Sequence, residues 1–253
     1  MYKVYYIMHS CFWVELEDRY LLFDYFDKDV VRDTVIYSGS LPQLNPEKNL
    51  YVFSSHSHKD HWWLETLKWA DERDNIHYIL SKDIRLGRNY LIRNGFDLSI
   101  KDKITFVAPL KKYHVDDMTI ETLRSTDAGV AFVINVNGMN IYHAGDLNWW
   151  NAEGRGELYG EVYGREYKRA LKTILNRHFD IGFVVLDSRM GEDGYFLGME
   201  YFIKNIECDH IFPMHMWGDY KWIERFKGRP GIANLKDRVV DIDQENMLFE
   251  IEG

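Results

Sequence analysis

Cysteine and proline are scarce in this chain, and long apolar runs are missing altogether. Cys11 and Cys208 are the only cysteines in 253 residues, so no disulfide framework supports the fold. With 5 prolines, no Gly/Ser tract and no run of like charge, the composition excludes extended linkers and disordered segments. No apolar stretch approaches the ~20 residues that cross a bilayer. Met1-Tyr2-Lys3-Val4 runs straight into a strand pattern with no basic-then-apolar leader, so a cytoplasmic protein without a membrane partner is expected. A basic excess is lacking too. The net charge of −9 argues against a nucleic-acid partner and against a nuclease, while local basic residues can still meet a small anionic substrate. What is present is apolar bulk: 46% hydrophobic residues, enough for one large core or two modest ones. A single domain over 1–253 is the expectation.

The pattern of elements begins with strands at Val4 to Met8, Phe12 to Leu16 and Tyr20 to Asp24, followed by a polar, proline-bearing loop from Asp27 to Asn49. Leu50 to Ser54 reads as a buried strand, Trp62 to Trp69 as a helix, Ile76 to Leu80 as a strand, Lys82 to Asn94 as a helix and Ile104 to Ala108 as a strand. A β-rich middle follows at Met118 to Leu123, Val130 to Val136 and Met139 to His143, the last two joined by an Asn137-Gly138 hairpin signal. Helices are expected at Glu161 to Asn176, Gly198 to Ile206 and Tyr220 to Phe226. Strands are expected at Ile181 to Leu186, His210 to Met214, Val239 to Ile242 and Leu248 to Ile251. Strands early and in the middle, with helices between the later strands, fit an α/β (α+β) fold of two stacked sheets flanked by helices.

The densest chemistry lies in His56-Ser57-His58-Lys59-Asp60-His61, between the strand ending at Ser54 and the following helix pattern. Three of the 10 histidines and a carboxylate fall in six residues. Imidazole with carboxylate is a shell suited to zinc, manganese or iron. Two more candidates repeat the strand-end placement: Asp146 in His143-Ala144-Gly145-Asp146, and His215 in Phe212-Pro213-Met214-His215.

An HxHxDH loop after a strand, a later Gly-Asp and a late strand-end histidine together resemble the metallo-β-lactamase fold hydrolases. His9-Ser10-Cys11-Phe12 followed by Leu21-Leu22-Phe23-Asp24 resembles the opening of the branch related to L-ascorbate-6-phosphate lactonase. The resemblance implies a four-layer αββα sandwich of two mixed sheets and one or two divalent metal ions. Zinc is favoured, with manganese or iron as alternatives. It implies His56 and His58 on one metal, Asp60, His61 and His215 on the other, and Asp146 bridging them. It also implies that Asp24 orients a ligand histidine from behind. The chain departs from the family where another histidine is usual: Leu123-Arg124-Ser125-Thr126-Asp127-Ala128-Gly129 has none. Asp127 is the favoured replacement, as an oxygen ligand. Ser125 in the imidazole's place and His114 in a separate segment are the alternatives.

Other residues carry weaker signals. His9 ends the first strand and reads either as a substrate contact or proton donor or as a buried hydrogen-bonded histidine. His143 reads as a support for Asp146, and Cys11 as buried packing rather than a nucleophile. Trp62, Trp63, Trp149, Trp150 and Trp217 follow the ligand segments and suggest an aromatic wall. Residues 148–170 read as a cap. Arg155, Arg165, Lys221 and Arg225 read mainly as a solvated face, and as the cations nearest to hand for an anionic group. The expected activity is metal-dependent hydrolysis of a small ester, lactone or phosphoester, with Asp60 holding or deprotonating the water. Iron-based redox chemistry and metal binding without turnover are the alternatives.

Overall fold

Sheet pairing divides the chain into two units: Met1–Val107 with the residues from Glu245 onward, and Ala108–Gln244. The computed structural model describes residues 1–30 and 35–252. Residues 31–34, part of the expected Asp27 to Asn49 loop, lie outside the described residues.

The first unit is built on a seven-stranded mixed sheet. β1 (Tyr2–Met8), β2 (Cys11–Glu15) and β3 (Arg19–Phe23) form an antiparallel meander. β4 (Asn49–Ser54), β5 (Ile76–Ser81) and β6 (Ile104–Val107) continue it in parallel, and β13 (Met247–Ile251) pairs antiparallel with β1 at the opposite edge. The central strands are buried on both faces, as parallel strands in α/β folds are, which explains their near-continuous apolar sequences. On one face Trp13, Leu22, Val52, Tyr78 and Leu80 pack with Leu67, Leu91 and Ile100 of the connecting segments. On the other, Phe12, Val14, Leu21, Phe23 and Phe53 are fully buried, with Phe23 and Phe53 stacked at 4.9 Å.

Two expected helices of this unit differ from their periodicity, the first displaced and the second shortened. Trp63 is extended, and the apolar stretch after the histidine loop forms a 3-10 helix at Leu64–Asp71, opened by the Thr66 hydroxyl on the Trp63 carbonyl. The Lys82 to Asn94 expectation is corrected to α1 (Arg88–Arg93). Lys82 is still held by the Val107 carbonyl, Ile84 turns back on Ser81, and Gly87 is extended immediately before the helix.

The second unit carries a six-stranded mixed sheet in the order β12-β11-β10-β9-β8-β7. β7 (Lys112–Val115), β8 (Met118–Arg124), β9 (Val130–Val136) and β10 (Met139–His143) are antiparallel; β11 (His178–Val185) and β12 (Glu207–Met214) extend them in parallel. Asn137 and Gly138 both take positive φ (52° and 82°), the backbone a two-residue hairpin needs between β9 and β10. α2 (Glu157–Leu171) links β10 to β11 and starts earlier than its apolar pattern, directly after Gly156. α3 (Leu197–Asn205) crosses from β11 to β12, and α4 (Lys221–Lys227) follows. The expected strand at Val239 to Ile242 is reduced to a single bridge between Val239 and Ile211. β7 went unread in the sequence, being four residues long with only Val115 buried. Among the described residues no helix is long and apolar enough to cross a membrane.

Candidate metal centre

In the first unit, chemistry collects where β1, β3 and β4 end. Asp24 leaves β3 with φ 46°, and His9 leaves β1 with φ 50°. Left-handed backbone is costly for residues with a Cβ and persists where the surroundings over-determine it. For Asp24 those surroundings are explicit. Its backbone N–H donates to the Phe53 carbonyl of the neighbouring strand (2.9 Å). One carboxylate oxygen accepts the Ser55 N–H (2.7 Å); the other accepts the Ser55 hydroxyl (2.7 Å) and His61 Nδ1 (2.8 Å). A fully buried carboxylate thus ties both ends of the histidine loop to the sheet.

These bonds fix the imidazole tautomers. His61 Nδ1 must carry its hydrogen to meet a carboxylate. The Ser55 hydroxyl spends its hydrogen on Asp24, so Ser55 Oγ accepts from His56 Nδ1, 3.0 Å away. Both rings therefore turn Nε2, the lone-pair nitrogen, away from the sheet, and they lie 4.1 Å apart between centroids. His58 is 4.5 Å from His56 by the same measure. Ser57 N–H on Asp83 (2.8 Å) and His61 N–H on the His58 carbonyl (3.1 Å) hold the turn between them. His9, Asp60 and His61 present ligand atoms within 4.8 Å of one another, as do His56 and His58. His9 is fully buried, its Nδ1 at 3.1 Å from the Tyr37 hydroxyl and its Nε2 at 3.4 Å from the Asp60 carboxylate.

The second unit repeats the arrangement at the ends of β8, β10, β11 and β12. Gly145, at φ 51°, turns the chain after β10, and Asp146 follows, almost fully buried. The Thr126 hydroxyl is stitched across to this turn, donating to the carbonyls of Asn148 (2.7 Å) and Asp146 (3.4 Å) and accepting the Asn148 N–H (2.9 Å). That stitch sets Asp127 beside Asp146, with carboxylate oxygens within 4.8 Å. Ser125 Oγ accepts the Asp127 N–H (3.1 Å), and His114 lies exposed on β7 against Thr119. Of the three candidates for the missing imidazole, Asp127 is the one grouped with Asp146.

His215 follows β12 at φ 67°. Its Nδ1 is 2.9 Å from Asp187 and its Nε2 is 3.3 Å from Asp146. Asp187 also accepts two guanidinium nitrogens of Arg189, at 3.0 and 2.6 Å. Burial works to raise the Asp187 pKa, but His215 and Arg189 outweigh it and hold the carboxyl well below the usual range. Asp187 went unread in the sequence, although Val184-Val185-Leu186-Asp187 spells the same apolar-run-then-Asp as the segment ending at Asp24.

The remaining candidates sort by contact. Trp150 and Trp217 flank His215, at 6.0 and 5.4 Å between ring centroids. Trp63 and Trp69 pack on Tyr25, and Trp62 is half-buried. Trp149 instead is set into α2: its indole N–H donates to the Gly160 carbonyl, and a Cβ on Gly164 would come within 2.3 Å of its ring. Residues 148–170 accordingly comprise this anchor and most of α2. His143 is buried and accepts the Gly145 N–H, bracing the turn to Asp146. Cys11 is buried, and burial, with Asp24 nearby, pushes its thiol well up. Arg155, Arg165, Lys221 and Arg225 are exposed; Lys221 pairs with Asp219, and Arg225 with Glu192.

The donor sets fit divalent metal ions. Three buried histidines offer Nε2 with Nδ1 committed behind them, the second-sphere arrangement that orients metal-bound imidazoles. Asp127 and Asp146 are like charges that repel at this spacing without a cation or proton between them.

A profile described as the beta-lactamase superfamily domain matches residues 3–157. The chain belongs to that superfamily. Its two mixed sheets flanked by helices are the metallo-β-lactamase fold. Among solved structures it is similar to a novel metallo hydrolase, Igni18, from the archaeon Ignicoccus hospitalis, at 17% identity and TM-score 0.59, covering 99% of each chain. It is also similar to a metal-dependent hydrolase from Parabacteroides distasonis, at 13% identity and TM-score 0.60, covering 95% of this chain and 92% of that one. A third likeness is to CmlA, a diiron β-hydroxylase from Streptomyces venezuelae, at 13% identity and TM-score 0.54, covering 96% of this chain and 47% of that one. No curated protein matches the sequence.

Proposed function

We propose that this protein is a metal-dependent hydrolase of a small ester, lactone or phosphoester, its two units acting as one catalytic domain. The observation that carries the reading is the pair of buried aspartates, Asp24 and Asp187. Each is bonded to the Nδ1 of a strand-end or loop histidine and thereby fixes Nε2 as the ligand atom. His56, His58, Asp127 and Asp146 would hold one divalent ion; Asp60, His61, His215 and Asp146 would hold a second. When bound, such ions polarise the scissile group and acidify water at the site. The chain's own residues supply the rest. Asp60 accepts the proton of the attacking water, and His9, 3.4 Å from Asp60 and braced by Tyr37, is placed to pass a proton on to the leaving group. Trp150 and Trp217 give the substrate an apolar flank. The His9–Cys11 and Leu21–Asp24 segments support a finer placement near the lactonase-like branch. The substrate is read as a small molecule, with no nucleic acid in view of the net charge of −9.

Zinc is the favoured ion. Asp127, an oxygen donor where imidazole is usual, makes the first position harder, so that it would tolerate manganese or iron as well as zinc, and iron there would support redox chemistry instead. Elemental analysis of the protein purified without chelator, with turnover on a lactone panel and on a generic phosphodiester, tests the reading. His58→Ala and Asp60→Ala should each lose metal and activity while the chain remains folded. Asp127→His should shift preference from manganese toward zinc. Wild-type protein that takes up neither added zinc nor added manganese would sink the proposal.

A further inference from the structure

Away from the histidines, the second unit contains a cavity of about 460 Å³ between the end of β8 and one stripe of α2 and its continuation. Glu166, Arg169, Ala170 and Thr173 line it from the helix side at i, i+3, i+4 and i+7, a spacing that puts them on one face. Arg124, Ser125 and Thr126 line it from the strand side, with Leu110 at the rim.

The charges in this cavity are uneven. No ion pair or hydrogen bond joins the Arg124 or Arg169 guanidinium to another described residue, although the chain carries 40 acidic residues against 31 basic ones. By contrast, Arg19, Arg177, Arg189, Arg225 and Arg229 each sit on a carboxylate. Among the described residues that line the space, Glu166 is the one acidic group against two arginines. Ser125 Oγ accepts the Asp127 N–H, which leaves the hydroxyl hydrogen to donate into the cavity. Two guanidinium forks and a hydroxyl donor are the recognition chemistry of a tetrahedral oxyanion. Leu110, held at φ 60° with 58% of its surface exposed, adds an apolar rim.

We propose that this cavity is a binding site for a phosphate-class oxyanion, held by Arg124, Arg169 and the Ser125 hydroxyl. It goes beyond the hydrolase reading and does not depend on it. An occupant would also touch the metal-ligand segment, because Ser125 receives the Asp127 N–H and Thr126 is bonded to the carbonyls of Asp146 and Asn148. The site therefore suits either the anionic end of a substrate or a separate anion that steadies residues 124–127.

The test is titration of inorganic phosphate into the full chain, followed by calorimetry and by ³¹P NMR at low salt, with the protein both chelator-treated and metal-loaded. Saturable binding with a dissociation constant on the order of 1 mM is expected in both forms, weakening as salt rises. Arg124→Gln and Arg169→Gln should each weaken it about tenfold. Arg165→Gln, which removes the same charge from the same helix outside the cavity, should change it less than about twofold. Glu166→Gln should tighten it. Acetate at equal ionic strength should bind several-fold more weakly, since it lacks the oxygens to engage both arginines. Binding seen only in the metal-loaded form, equal losses in Arg165→Gln and Arg124→Gln, acetate binding as tightly as phosphate, or no saturation would each overturn the proposal. Loss of metal uptake with phosphate binding intact would instead count against the hydrolase reading alone.

Discussion

Asp24 in the first unit and Asp187 in the second perform the same task with different partners. Each is fully buried, each follows an apolar strand, and each holds a histidine Nδ1 at under 3 Å. Asp24 also accepts the Ser55 amide and hydroxyl, both neutral donors, whereas Asp187 accepts the Arg189 amide and, in addition, its charged guanidinium. The two solutions carry different risks. Removing Asp24 strands donors that are themselves fully buried. Removing Asp187 frees a guanidinium whose side chain is 49% exposed and can rehydrate. A neutral brace is therefore the more structural one, and a charged brace the more electrostatic one.

The comparison can be broken by substitution. Asp24→Ala leaves the Ser55 N–H, the Ser55 hydroxyl and His61 Nδ1 without their acceptor, and should cost about 3–5 kcal/mol of stability together with metal uptake at His61. Chemical denaturation and metal titration read the two losses. Asp187→Ala should cost less, about 1–3 kcal/mol, because only His215 is left buried without its acceptor, yet metal affinity at His215 should fall 10- to 100-fold. Equal destabilisation by the two variants would erase the distinction. The smallest effect is expected from Arg189→Gln. Its half-exposed guanidinium contributes about 1 kcal/mol or less, so stability should barely move. Loss of that cation should, however, let the Asp187 carboxyl titrate closer to its ordinary range, observable by NMR.

The difference also marks how far the sequence can be read. Asp24 was legible only through the family resemblance, which implies a carboxylate behind a ligand histidine at the end of Leu21-Leu22-Phe23-Asp24. Asp187 has the same local spelling, but its partner is His215, which only the parallel pairing of β11 with β12 brings alongside. Thr126 was invisible for another reason: it acts through hydrogen bonds to main-chain carbonyls, which any hydroxyl could make and no pattern announces. The strands with continuous apolar sequence were read within one to three residues. The Lys82 to Asn94 segment failed because helical periodicity persists across a stretch whose backbone is committed elsewhere, with Lys82 on Val107 and Gly87 extended. The superfamily is written in the histidine loop, while the geometry that tunes each imidazole is written in long-range pairings.

One pairing also dictates an order of events during synthesis. β13 completes the edge of the first sheet, and its approach fastens the preceding loop as well, Glu245 taking the Ser38 amide and hydroxyl and Asn246 the Ser40 amide. Strands β1 to β6 are all made before the second unit begins, but β13 leaves the ribosome after that unit is finished. Through that interval β1 is an open edge with unpaired backbone groups beside an apolar sheet, a template for pairing with another nascent chain. The first sheet is thus begun first and sealed last, and expression of fragments ending before residue 247 should yield aggregates even where every candidate metal ligand is present.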